Sequence, residues 1–142
     1  MKISPYLTFD GTARAAATRY AEIFGVKIEM MMSFGEMPPQ DWVTDANRDR
    51  IAHARVDIGA DQLMISDTAG LEPFGGHSGH AINIVLEDFD HARALFEALA
   101  DGGETTMDFQ KTFWAKGFGI CRDKFGVSWM VNCADPDAPD PA

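Results

Sequence analysis

Positive charge is scarce in this sequence. Twelve lysines and arginines stand against 22 acidic residues, and the formal net charge is -10. A chain this acidic repels phosphate backbones, which argues against sequence-independent binding of nucleic acid. Long apolar runs are missing too, since none approaches the ~20 residues a membrane span needs. The opening MKISPYLTFD has a single lysine and no apolar stretch, so it does not read as a secretory signal, and a cytoplasmic location is expected. Cysteine is nearly absent: Cys121 and Cys133 are the only two. A turn at DKFG, Asp123 to Gly126, is expected to set Cys121 opposite Ser128 and Cys133 near Lys116. The pair are then not cross-strand partners, and disulfide geometry is demanding. Both are expected to be reduced structural thiols. Nucleophile signatures are also lacking: no GxSxG occurs, and neither cysteine has a histidine close in sequence. No strand-to-helix turn carries the glycine run that cradles a methyl-donor cofactor. GGHSG has the glycines but precedes a strand.

What is present is a pattern that occurs twice. The 142 residues suit one domain or two small fused halves. ISPYLTF reads as a strand with Pro5 near its start. In DGTARAAATRYAEIFG, the residues Ala13, Ala16, Ala17, Tyr20, Ile23 and Phe24 form one helical apolar face. Asp10 or Thr12 is the expected cap, and Gly25 the expected stop. VKIEMMMSF is a strand, and Pro38 and Pro39 break the segment after it. IAHARVDIG alternates, with Ala52, Ala54, Val56 and Ile58 on one face and Ile51, His53, Arg55 and Asp57 on the other. LMISD returns as its hairpin partner. A glycine-rich segment, TAGLEPFGGHSGH, follows. Then AINIVLE, DFDHARALFEALADGG, ETTMDFQKTF, GFGICRD and GVSWMVNC repeat the order β-α-β-β-β. Asp88 or Asp90 is the expected cap of the second helix, whose apolar face is Ala92, Leu95, Phe96 and Leu99. The predicted fold class is α+β: a first βαβββ module over 1–67, a linker over 68–80, a second module over 81–134 and a disordered acidic tail over 135–142.

Tandem βαβββ modules joined by a glycine-rich segment resemble the vicinal oxygen chelate superfamily, which includes glyoxalase I, extradiol dioxygenases and bleomycin-resistance proteins. PYLTFDGTARAAATRYAEIFG, MMMSFGEMP, ALADGG, KTFWAKGFG and DKFGVSWMVNC together resemble its PhnB-like branch, also labelled 3-demethylubiquinone methyltransferase-like. The resemblance implies a curved mixed sheet around a cleft for a small molecule, helices outside, and a homodimer, in some members with modules exchanged. It also implies where the metal-dependent members carry their ligands. Those positions fall at Pro5, near Met64 or Ser66, at Ala81 beside His80, and at Met130. Proline and alanine donate nothing, and thioethers suit hard divalent ions poorly, so no metal and no cofactor is expected.

On the alternation that follows from these positions, Pro5, Leu7 and Phe9 face the cleft from the first strand. Ala81, Asn83 and Val85 do so from the fifth, and Ser128, Met130 and Asn132 from the last. Trp114 and Phe118 of KTFWAKGFG are either an aromatic wall of the cleft or core aromatics beside glycines. The candidate ligand-binding set is Phe9, Asn83, Trp114, Phe118, Ser128, Met130 and Asn132. His77 and His80 are three apart, but in a loop without an acidic partner, and are expected to be exposed. His53 and His91 are expected on the surface. Asp67 and Glu36 follow strands and could reach the cleft mouth, though solvated carboxylates are the simpler expectation. Met30, Met31 and Met32 are expected mainly to fill the core.

The leading expectation is a metal-independent binder of a small molecule, for sequestration or sensing. An enzyme, a lyase or isomerase of small oxygenated metabolites with unusual metal donors, is the alternative. A ligand-free structural dimer module is a third.

Overall fold

The first helix is built on small residues facing a sheet, the second on larger ones. In the computed structural model, which describes residues 1–138, α1 spans Ala13–Phe24 and buries Ala13, Ala16, Ala17, Tyr20 and Ala21. The alanines let the helix backbone approach its sheet closely, and Tyr20 supplies the bulk. Gly25 ends the helix in the left-handed conformation at φ 65°. The start is capped from a distance. Neither Asp10 nor Thr12 does it: Thr12 makes no side-chain cap. Instead the carboxylate of Asp67 accepts from Gly11 N at 2.8 Å and Ala13 N at 3.0 Å, while its other oxygen accepts from Ile51 N at 2.9 Å.

The chain divides into two compact units, Met1–Gly76 and His77–Ala142. The first holds β1 (Tyr6–Phe9), α1, β2 (Ile28–Ser33), β3 (Ile51–Ile58) and β4 (Asp61–Asp67). Its sheet has the order β1-β4-β3-β2, with β1 parallel to β4 and the other pairs antiparallel. The second holds β5 (Ile82–Leu86), α2 (Phe89–Ala100), β6 (Glu104–Gln110), β7 (Ala115–Arg122) and β8 (Ser128–Ala134). Its sheet repeats the plan as β5-β8-β7-β6, with β5 parallel to β8. The fold is thus α+β, two mixed four-stranded sheets with one helix each. In α2 the apolar face is Ala92, Leu95, Phe96 and Leu99, all buried, and Asp88 caps the start by accepting from His91 N at 2.6 Å.

Three local expectations are corrected. The hairpin register pairs Cys121 with Trp129 and Arg122 with Ser128, one residue away from the expected pairing, and Cys133 lies opposite Gly117. The turn is held by Asp123, whose carboxylate accepts from Phe125 N, Val127 N and the Trp129 indole at 2.9, 3.0 and 2.8 Å. Both cysteines are free and buried. Secondly, β3 does not alternate strictly. Met32 pairs with His53 but Ser33 with Ile51, so Ala52 is an extra residue. This bulge turns Ile51 into the core, where Asp67 receives its N–H, and leaves His53 on the other face. Thirdly, the segment between β2 and β3 is partly ordered by a buried amide. Asn47 Oδ1 accepts from Thr44 N at 2.8 Å, and Nδ2 donates to the carbonyls of Trp42 and Ala69 at 3.0 and 3.1 Å. Residues 135–138 form a turn, with Ala138 N donating to Asp135 O; positions 139–142 of the expected tail lie outside the described residues.

Candidate functional site

Side-chain parity in the second sheet separates a packed face from an open one. A Cβ at Gly119 would lie 2.7 Å from Phe96 Cε2, so α2 covers the face that carries Gly119. Gly119 pairs with Val131, and Gly117 with Cys133. Trp129, Val131 and Cys133 of β8 are buried on that side. The alternate residues form the other face. There Asn83 pairs with Met130, which pairs with Ile120, while Val85 pairs with Asn132, which pairs with Phe118. Ser128 completes the strand opposite Arg122. Asn83, Phe118, Ser128, Met130 and Asn132 therefore share one face, with Ala81 at the same parity just before β5.

The segment KTFWAKGFG divides between the two faces. Gly117 and Gly119 leave room on the helix side for Phe109 and Phe96; a Cβ at Gly117 would meet the Phe109 ring. Phe118 points the other way, and the Trp114 ring meets it edge-on at 5.3 Å between centroids. Trp114 is placed by a turn in which Thr112 Oγ1 accepts from Trp114 N and Ala115 N at 3.4 and 3.1 Å. Phe113 stacks edge-on against Trp114 at 4.7 Å and is 77% exposed. Beside this platform, Asn132 Oδ1 is buried and has no hydrogen-bond partner among the described residues. Its cross-strand neighbours Val85 and Phe118 have no side-chain donor to give it. A buried acceptor without a donor is costly unless something supplies one.

In the first sheet the expected cleft face is corrected. Leu7 and Phe9 are 3% and 1% exposed and belong to the face packed under α1, with Ala54, Val56, Leu63 and Ile65. Pro5 shares their parity. The open face carries Tyr6 and Thr8 instead, and Phe9 leaves the candidate set. Tyr6 pairs with Met64, which pairs with Arg55, which pairs with Met30. The Tyr6 hydroxyl reaches over β4 to His53 Nδ1 at 3.0 Å. Arg55 Nε lies 3.0 Å from Asp57 Oδ1. The alternation of His53, Arg55 and Asp57 is visible in sequence, but Tyr6 joins them only through the parallel register of an edge strand.

The remaining titratable groups have structural roles. Asp67 is buried, and its hydrogen bonds to three backbone N–H groups leave it neither solvated nor at a site mouth. Glu36 closes a capping box, accepting from Ser33 N at 2.7 Å and Ser33 Oγ at 3.0 Å. Those bonds, the backbone one first, hold its carboxyl below the usual range. Burial, then the charge of Asp123, pushes the Cys121 thiol up to about 11, and burial raises Cys133. Neither is an activated nucleophile. His77 and His80 stand 5.9 Å apart between ring centroids. His80 Nδ1 lies 2.9 Å from Ser78 O, and Arg122 donates to His77 O. Among the described residues no group of three or more His, Cys, Asp or Glu is placed to hold a metal ion. No helix among them is long and apolar enough to cross a membrane.

Residues 1–132 match the family described as 3-demethylubiquinone-9 3-methyltransferase. The chain is 36% identical to the protein YjdN of Escherichia coli K12, over 93% of this chain and 95% of that one. It is similar to the crystal structure of protein PA1353 from Pseudomonas aeruginosa, with 41% identity, a TM-score of 0.86, and coverage of 94% and 98% of the two chains. A Bacillus cereus structure described as a putative 3-demethylubiquinone-9 3-methyltransferase, PhnB protein, matches at 24% identity and a TM-score of 0.77, over 93% and 98%.

A methyl-donor cofactor is the group the family's description suggests, and a hard divalent ion is the one the sequence resemblance implies. The turn from β1 to α1 has one glycine, Gly11, and the Asp67 carboxylate already occupies its N–H. The turn from β5 to α2 has none, and Asp88 occupies the first turn of α2. Neither fits the carboxylate of a nucleoside-like methyl donor. Of the positions that the resemblance assigned to metal ligands, Pro5 has the parity of the helix-covered residues Leu7 and Phe9, and the thioethers of Met64 and Met130 and the methyl of Ala81 do not fit a hard divalent cation.

Proposed function

The chain belongs to the vicinal oxygen chelate superfamily, in its PhnB-like branch, and from that premise we propose that it binds a small molecule on the open face of its second sheet. The observation that carries this is the unpartnered, buried Asn132 Oδ1 beside the Trp114–Phe118 pair. An aromatic platform with one or two neutral polar groups suits a partly apolar ligand that offers a hydrogen-bond donor. Asn83 and Ser128 add polar groups without charge, and Met130 between them adapts to ligand shape. The residues that line it are neutral, with the carboxylate of Glu104 paired with Arg122 at the sheet margin, so sequestration or sensing fits it better than turnover, and neither a metal nor a cofactor is part of the proposal.

A thermal-shift screen of small planar and heterocyclic donors tests it. Ligands that raise the melting temperature of the native chain are expected to lose that effect in Trp114→Ala and Asn132→Leu. Ligands whose effect survives both substitutions would refute the site. Metal analysis of protein purified without added metal separates the enzyme alternative, since a stoichiometric divalent ion together with turnover of a small carbonyl compound would favour it.

A further inference from the structure

The open face of the first sheet gathers soft donors. Of the three consecutive methionines, Met31 turns to the helix side, where Arg14 Nη1 donates to its sulfur at 3.3 Å. Met30 and Met32 turn to the open face, opposite Arg55 and His53. Met64 joins them from β4, in the row Tyr6–Met64–Arg55. Opposite residues in a sheet have Cβ atoms about 4.5–5.5 Å apart and diagonal ones about 7–8 Å. Met32 is opposite His53 and Met64 is diagonal to it. Both are within reach of a side chain with three rotatable bonds. The His53 ring is placed towards Met64, because it meets Tyr6, the partner of Met64 across the ladder, with ring centroids 5.7 Å apart.

We propose that His53, Met32 and Met64 form a binding site for a soft monovalent cation, copper(I) or its analogue silver(I). Thioether and imidazole donors select such ions over magnesium, calcium or manganese. Tyr6 acts as the orienting partner. With its hydroxyl oxygen accepting from Nδ1–H, the imidazole presents the Nε2 lone pair to the ion. The β3 bulge at Ala52 serves the same end, since it keeps His53 on this face while Ile51 stays in the core. The only charges on β3 beside the site, Arg55 and Asp57, neutralise each other at 3.0 Å. The excess of acid over base in the whole chain favours a cation.

Silver nitrate titration of the full chain, followed by the methionine ε-methyl and histidine ring signals in NMR spectra, tests this. A single equivalent is expected to saturate shifts at Met32, Met64 and His53, while Met37, Met107 and Met130 stay put and zinc moves no methionine signal. His53→Ala is expected to weaken silver binding at least tenfold. Tyr6→Phe, which keeps the ring and removes the hydroxyl, weakens it roughly tenfold. Met64→Leu keeps the volume and removes the sulfur, and is expected to abolish the 1:1 saturation. Non-saturating shifts over all exposed methionines, silver lodged at Cys121 or Cys133 with His53 unmoved, or unchanged affinity in His53→Ala would each overturn the proposal.

Discussion

The two halves share a plan and differ in what they expose. Both run β-α-β-β-β, pair their first and last strands in parallel, and bury a stripe of their helix against the middle strands. Their open faces have little in common. The first carries a phenol, an imidazole, an ion pair and thioethers. The second carries amides, a hydroxyl, aromatic rings and the thioether of Met130, with Arg122 and its partner Glu104 at the margin. The helix-covered face must be apolar and closely packed to hold the fold, so the same solution recurs there. The open face is free of that demand and has diverged, which is the pattern expected where function resides.

The halves also use a buried carboxylate each, in different places. Asp67, at the end of β4, ties the start of α1 to the start of β3. Asp123, in the turn from β7 to β8, ties that turn to the indole of Trp129. Asp67→Ala and Asp123→Ala should therefore have the largest effects, each lowering stability by about 3–5 kcal/mol in urea unfolding, because several buried donors lose a charged acceptor. A loss below about 1 kcal/mol for either would break the symmetry of roles.

Gly117→Ala comes next and has no counterpart in the first half. Its new methyl would meet the Phe109 ring, and overpacking of that kind costs about 1–3 kcal/mol. A neutral result would mean that Phe109 yields easily.

A smaller effect separates the halves by pH, since only the second contains cysteine. The thiol of Cys121 has a folded value of about 11 against 9.0 for a free group. The unfolded chain releases this proton first, so the contribution is complete below about pH 9 and is lost as pH rises towards 11. Unfolding monitored through tryptophan fluorescence should show that decline, and Cys121→Ala should lessen its slope, leaving the part due to Cys133. Smallest in stability is Trp114→Ala, expected to change unfolding by about 1 kcal/mol or less, because the ring is half-buried at an edge, while abolishing ligand-induced stabilisation.

Much of the fold was legible from punctuation. Gly25, Asp88 and the helical spacing of Leu95, Phe96 and Leu99 mark elements through local chemistry alone. Face assignment was legible only where a strand is long. Alternation over Ser128 to Ala134 has seven residues to establish its phase, and Ser128, Met130 and Asn132 share a face with Asn83; Phe118, which the sequence left between cleft wall and core, joins them. Tyr6–Phe9 has four, and counting back from the helix put Phe9 on the wrong side. The bulge at Ala52 and the long-range bonds of Asp67, Asn47 and Asp123 were not legible, because each depends on a partner distant in sequence or on a backbone irregularity without a residue signature. Tyr6 and His53, separated by 47 positions, are hidden for the same reason.

The most direct measurement is a map of amide and indole NMR shifts on adding a ligand found by thermal screening. The side-chain amides of Asn132 and Asn83 and the Trp114 indole N–H should move together and saturate with one affinity, with the buried Trp129 indole unmoved. Saturating shifts elsewhere, with those three signals still, would contradict a ligand site on the second sheet.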